Sequence, residues 1–133
     1  MKIVITYGTF DIFHVGHLNL LLRARQLGDK LVVGISTDAF NEGKDKKTIQ
    51  PYEQRAKIIS SLRCVDLVFP ESCWEQKRED ITREKAGIFV MGDDWRGHFD
   101  DLNSICNVIY LTRTPEISST MIRRSIISSA APA

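Results

Sequence analysis

Five short apolar runs, at residues 3–7, 31–35, 65–69, 88–91 and 108–111, punctuate this chain, with a helical or polar stretch between each pair. They are rich in Val and Ile, and three stop at a residue that ends regular structure: Gly8, Pro70 and Gly92. Such runs read as strands buried on both faces. The stretches between them carry one apolar face each. Leu18, Leu21 and Leu22 mark the first helix, Leu20, Ala24 and Leu27 widen it, and Gly28 is placed as its C′ residue. Pro51 suits the first turn of a second helix with Ala56, Ile58, Ile59 and Leu62 on its inner face. Ser72 and Glu75 have capping-box spacing, which predicts a helix over about residues 73–85. Residues 99–105 read as a short helix, 121–127 as the last helix, and 41–50 as a polar, lysine-rich loop.

Strand–helix alternation of this kind means βαβ units and an α/β fold. The expectation is a single Rossmann-like domain over residues 1–127, a five-stranded parallel sheet with helices on both faces, and a frayed tail at 128–133. At 133 residues the chain can bury a core without staples. A net charge of +1 argues against a nucleic-acid or membrane surface, and no apolar run approaches a membrane span. The three cysteines, Cys64, Cys73 and Cys106, fit neither a disulfide framework nor a zinc knuckle and read as reduced thiols, mostly packed in the core. With no signal-peptide layout at the start, the expected compartment is the cytoplasm.

Ligands of such sheets bind at the carboxyl ends of the strands. The turns to inspect are therefore residues 8–17, 36–50, 92–97 and 112–120. The first reads Gly-Thr-Phe-Asp-Ile-Phe-His-Val-Gly-His, with His14 and His17 at a strand-to-helix turn. Imidazoles there can donate to a phosphate, and a helix start adds free N–H groups. Neither the dinucleotide glycine fingerprint nor a Walker A sequence is present. Zinc is disfavoured because no further ligand set stands at metal spacing, and His98 reads as a structural or surface residue. The last turn sets Arg113 after a strand and then Thr114, Ser118, Ser119 and Thr120 before a helix, an anion site in its own right. A plain serine N-cap is the bland alternative.

The turn His14-Val15-Gly16-His17 resembles the His-x-Gly-His signature of the nucleotidylyltransferase superfamily. Gly8-Thr9-Phe10-Asp11, the run from Ser36 to Asn41, Arg63-Cys64-Val65-Asp66, Trp74-Glu75-Gln76-Lys77 and the run from Phe89 to Trp95 extend the resemblance to its glycerol-3-phosphate cytidylyltransferase family, over about residues 2–127. The resemblance implies CTP and glycerol 3-phosphate as substrates, CDP-glycerol and pyrophosphate as products, Mg²⁺ carried by the nucleotide, and a homodimer with residues 63–66 near the subunit contact. It also implies a place in teichoic-acid or capsular-polymer synthesis.

Residue by residue, it implies catalytic roles for His14, His17, Lys46 and Arg113. These four would also bind CTP, together with Thr9, Phe10, Asp11 and Asp94. On the last turn Thr114, Ile117, Ser118, Ser119 and Thr120 would join them. Lys44, Lys77, Arg55, Arg63 and Trp74 would hold the acceptor; without the resemblance, the lysine run reads as a solvated loop and the arginines as helix-surface pairs. Asp11 would orient a histidine or the magnesium–nucleotide, and Arg123 is a weaker anion candidate. The chain departs from the family at Glu116, which follows Pro115 where relatives have Gly; an inward carboxylate would repel the triphosphate, so Glu116 is expected to point outward. Three alternatives stay open: ATP in place of CTP, another polyol phosphate as acceptor, and a catalytically silent nucleotide-binding module.

Overall fold

The computed structural model describes residues 1–112 together with Ile122 and Ile126. Strands β1 (Ile3–Gly8), β2 (Lys30–Ser36), β3 (Leu67–Glu71), β4 (Ile88–Gly92) and β5 (Asn107–Leu111) form one sheet in the order β3-β2-β1-β4-β5. Every pairing is parallel. The helices are α1 (Val15–Gln26), α2 (Asp38–Gly43), α3 (Tyr52–Ser60) and α4 (Gln76–Glu84), with 3-10 turns at Asp93–Trp95 and Asp100–Ser104.

Side chains alternate across a strand, and both faces of this sheet are covered. Val4, Leu31, Val33, Ile35, Ile88 and Val90 pack with Leu21 and Ala24 of α1 and Ile59 of α3. Ile5, Tyr7, Val32, Phe89 and Met91 point the other way, against Ile81 of α4 and the Phe99–Leu102 region. The central strands β1, β2 and β4 need no polar face, which is why their runs are nearly all apolar, the buried Thr6 donating its hydroxyl to the Val90 carbonyl. The chain steps outward from β1 to β3, then crosses back to set β4 beside β1. The order therefore reverses between β1 and β4, and the crevice above that reversal is where such sheets hold ligands.

The structure departs from expectation at several boundaries. The loop expected over 41–50 begins later, because residues 41–43 close helix α2, which the Thr37 hydroxyl caps by accepting the Phe40 amide. Pro70 lies inside β3, not after it, because β3 is an edge strand and one side of its backbone has no ladder partner. The Ser72–Glu75 capping box does not form. Gln76 instead turns its amide oxygen back onto the Ser72 and Cys73 amides, at 2.6 and 3.1 Å, and α4 starts at Gln76. Gly28 follows α1 without a left-handed backbone; a Cβ there would stand 2.6 Å from the Lys2 carbonyl oxygen, so close approach requires the glycine. Cys73 is exposed rather than packed. Ile122 and Ile126 are helical, while the rest of the helix expected over 121–127 lies outside the described residues.

Candidate active site

The turn after β1 is held in a strained form. Phe10 and Ile12 have φ of 54° and 50°, unusual for a bulky or β-branched residue. Such strain costs about 1–3 kcal/mol per residue and persists only where the surroundings over-determine it. Three contacts do so here. The Phe10 ring folds back over Gly8, where a Cβ would stand 2.8 Å from the ring. The Asp11 carboxylate, 3% exposed, accepts the Ile49 amide on one oxygen at 2.8 Å and the Gln50 amide on the other at 2.9 Å. The Gln50 side chain accepts the Ile12 amide in return, at 3.1 Å. Asp11 thus ties the histidine turn to the lysine loop.

That turn fixes the tautomer of both histidines. His14 caps α1, its Nδ1 accepting the Gly16 amide at 3.0 Å, and Nδ1 of His17 accepts the His14 amide at 3.3 Å. This is a capping box built from imidazoles instead of hydroxyl and carboxylate. An Nδ1 that accepts is unprotonated, so each neutral ring carries its proton on Nε2, as a donor. The rings stack with centroids 3.8 Å apart, and Phe10 and Phe13 flank His17 at 5.5 and 5.6 Å. Burial, then the nearby charges of His14 and Lys46, push the His17 pKa down to about 3. His17 is therefore a neutral donor at physiological pH.

A stability consequence follows. The folded protein protonates His17 only near pH 3, against an ordinary value of 6.5. Between those limits the unfolded chain binds more protons, so His17 erodes stability as pH falls below about 6.5. We expect the thermal midpoint to drop from pH 7 to pH 4.5 more steeply in the wild type than in His17→Gln. Equal slopes would show that His17 is not the group responsible.

The lysine loop hangs from α2. The Asn41 backbone carbonyl accepts the amides of Lys44 and Lys46 at 3.0 and 2.8 Å, and its side-chain oxygen accepts the Thr9 hydroxyl at 3.3 Å. Asp45 turns the backbone at φ 60°. Lys46 is exposed, and its charge acts on His17. Asn41, which the sequence did not single out, thus links the Thr9 turn to both lysines.

Arg55 has a different place from the one its type suggested. It is fully buried and donates from Nε to the Gln50 carbonyl, from Nη1 to those of Thr9 and Ser36, and from Nη2 to Asp38, at 2.7–3.0 Å. One guanidinium therefore joins the turn after β1, the end of β2, the start of α2 and the lysine loop. Burial alone would raise Asp38, but the Tyr52 amide and the Arg55 guanidinium outweigh it and hold that carboxyl below the usual range.

A second cluster lies at the carboxyl end of β3. Lys77 is buried with its ammonium over Tyr7, Trp74 and Phe99, at 4.8, 4.9 and 5.2 Å from the ring centroids. Lys44 lies over Phe40 at 4.2 Å and Trp74 at 5.2 Å. Desolvation lowers the Lys44 pKa, Glu71 opposes that, and Lys46, Lys77 and Arg55 add to it. A cation over an aromatic face is held more strongly where water is scarce, as at the buried Lys77. A cavity of about 580 Å³ opens beside Trp74 and Lys77 and runs to Trp95, His98 and Phe99. Lys44, Lys77 and Trp74, the acceptor residues implied by the resemblance, are thus brought together.

Arg63 is not with them. It is exposed between α3 and β3, at the amino end of β3 and so across the sheet from the site. Asp94 is in the 3-10 turn after β4, at the reversal in strand order. Arg113, Thr114, Glu116, Ile117, Ser118, Ser119, Thr120 and Arg123 lie outside the described residues. The described chain reaches Thr112, whose carbonyl oxygen accepts Arg23 of α1 at 2.7 Å. His98 is exposed against Trp95, with ring centroids 5.6 Å apart.

A strained His-x-Gly-His turn at the strand-order reversal of a five-stranded parallel sheet defines a nucleotidyltransferase scaffold, and the comparisons agree. The chain belongs to the cytidylyltransferase-like family, which matches residues 5–125. Its place there is among the glycerol-3-phosphate cytidylyltransferases. It is 56% identical over 126 residues to that enzyme from Bacillus subtilis, spanning 95% of this chain and 98% of the relative. The Staphylococcus aureus enzyme of the same name is 52% identical, over 95% and 96%. A crystal structure of the lipopolysaccharide core biosynthesis protein from Thermoplasma volcanium shares the fold, with TM-score 0.72 and 24% identity over 86% of this chain and 98% of that one.

Proposed function

We propose that the chain transfers CMP from CTP to glycerol 3-phosphate, releasing pyrophosphate and CDP-glycerol. The observation that carries this reading is the pairing of two sites on one sheet edge. Two Nε2–H donors stand at the reversal in strand order, and a pair of lysines over aromatic rings stands at the same carboxyl edge of the sheet, towards β3. Near end-to-end identity to relatives named for this reaction supports it.

The acceptor is a phosphate monoester, already largely dianionic at neutral pH. No general base is needed, and no covalent enzyme intermediate. An acceptor oxygen attacks the α-phosphorus in line, the new P–O bond forms, and the bridging α–β bond breaks with its electrons leaving on pyrophosphate. The protein's work is to position both anions and to stabilise charge as it builds. His14 and His17 donate to the triphosphate from Nε2, His17 as a neutral ring. Lys46, together with Arg113 and the hydroxyls of Thr114, Ser118, Ser119 and Thr120, screens it, and Mg²⁺ arrives with the nucleotide as part of the substrate. Lys44 and Lys77 hold the acceptor phosphate against repulsion from CTP. Arg55 holds the frame. The reading includes a homodimer in the cytoplasm; no helix among the described residues is long and apolar enough to cross a membrane.

The direct test is pyrophosphate release by the purified protein with CTP or ATP and a panel of polyol phosphates. The fastest turnover is expected with CTP and glycerol 3-phosphate. Preference for ATP or for ribitol 5-phosphate would replace this substrate assignment, and CTP binding without product would revive the silent module. Lys44→Ala should raise KM for glycerol 3-phosphate roughly 10-fold or more, the scale of one lost charged hydrogen bond. KM for CTP should change little. A variant whose CTP affinity alone weakened would place Lys44 on the nucleotide.

A further inference from the structure

We infer that Glu71 is the positioning and charge-setting residue of the acceptor site, holding Lys77 in its aromatic cage and balancing Lys44 so that both lysines stand ready for a phosphate monoester. The inference rests on the reading that these two lysines receive the acceptor.

Glu71 is the last residue of β3 and is 3% exposed. One carboxylate oxygen accepts the Lys77 ammonium at 2.5 Å and the other accepts the Ser36 hydroxyl at 3.1 Å. Its backbone carbonyl accepts the Thr37 amide at 3.0 Å, tying the same residue to the cap of α2, the helix that leads to Lys44. A buried acid in a site built for anions calls for an explanation. A buried ion pair is a poor source of stability compared with apolar residues of the same size, so the fold alone does not account for it.

The surroundings supply the account. Tyr7, Trp74 and Phe99 wall Lys77 and offer its ammonium ring faces in place of water. The charged groups acting on Lys44 are Glu71 from β3, Lys77 from α4, Arg55 from α3 and Lys46 from its own loop. Of these four, Glu71 alone favours the charged form of Lys44. Without it, a desolvated lysine faces three cations. The carboxylate also gives the Lys77 ammonium a fixed direction from which an arriving phosphate can draw it.

The test is a pH profile of kcat/KM for Glu71→Gln, which keeps the shape and removes the charge. The ratio of variant to wild-type kcat/KM for glycerol 3-phosphate is expected to fall as pH rises through the basic limb of the profile, reaching about tenfold for a limb moved down by one unit. The same ratio for CTP should stay flat. Ser36→Ala, which removes the hydroxyl that orients the carboxylate, should move the limb in the same direction by less, and it carries the test if Glu71→Gln does not fold. A loss that is equal at every pH would make Glu71 a structural residue and overturn the inference. A wild type with no activity on CTP and glycerol 3-phosphate would instead overturn the functional reading beneath it.

Discussion

Replacing His17 with alanine is expected to lower kcat by roughly 10²-fold or more, the scale of losing one transition-state donor. The KM for glycerol 3-phosphate should change little, because the acceptor lysines stand on other elements. The argument rests on where the proton is. Nδ1 of His17 is occupied by the His14 amide, so Nε2 must carry the hydrogen, and burial keeps the ring neutral. A neutral donor in a partly dry site is most useful when charge appears on the departing pyrophosphate. The same substitution removes half of a helix cap and should cost about 1 kcal/mol in stability. His17→Gln separates the two effects, since its amide oxygen can take the His14 amide as a capping-box glutamine does. It should regain the thermal midpoint and not the turnover. Near-wild-type kcat in folded His17→Ala would remove the histidine from the chemistry.

Arg55→Met should cost about 3–5 kcal/mol in stability, the range for removing one partner of a buried charged network. Three backbone carbonyls, of Thr9, Ser36 and Gln50, lose their donor in the interior. Asp38 fares better, because its side chain is 48% exposed and water can replace the guanidinium. Arg55→Lys should recover only part of the loss, as one ammonium cannot span four acceptors in three directions. Urea unfolding measures both. Because Arg55 joins the histidine turn to the lysine loop, kcat/KM should fall for CTP and for the acceptor together. A destabilisation below about 1 kcal/mol, or a loss confined to one substrate, would show that the guanidinium is not the common tie we describe.

Much of the sheet was legible because parallel strands covered by helices leave a largely apolar run, mostly buried in β1, β2 and β4 and half-buried at the edge strand β5. β1, β2, β4 and β5 fall within a residue or so of their expected limits. The histidine turn was legible because it is local: cap, strand end and helix start sit within ten residues. α2 was missed because six residues carry too little periodicity to outweigh the lysines that follow. The true start of α4 was missed because Gln76 reaches back across four residues to do the work expected of Ser72. Pro70 ended a strand on paper that the open sheet edge let continue.

The amino-acid order by itself determined the fold class and set the histidine turn and the lysine loop after the carboxyl ends of β1 and β2. Those assignments rest on short-range patterns and on a resemblance carried by contiguous motifs. Tertiary structure alone decided which charges stand beside a cavity and which hold the frame. Arg55 and Lys77 are both basic residues near the starts of amphipathic helices. One is spent on three carbonyls and a carboxylate, and the other stands in an aromatic cage beside a cavity. Glu71 and Asn41 acquire their roles only when β3, α2 and α4 meet at one corner. The physical reason is that the environment of a charge depends on which distant elements surround it, and no spacing along the chain encodes that.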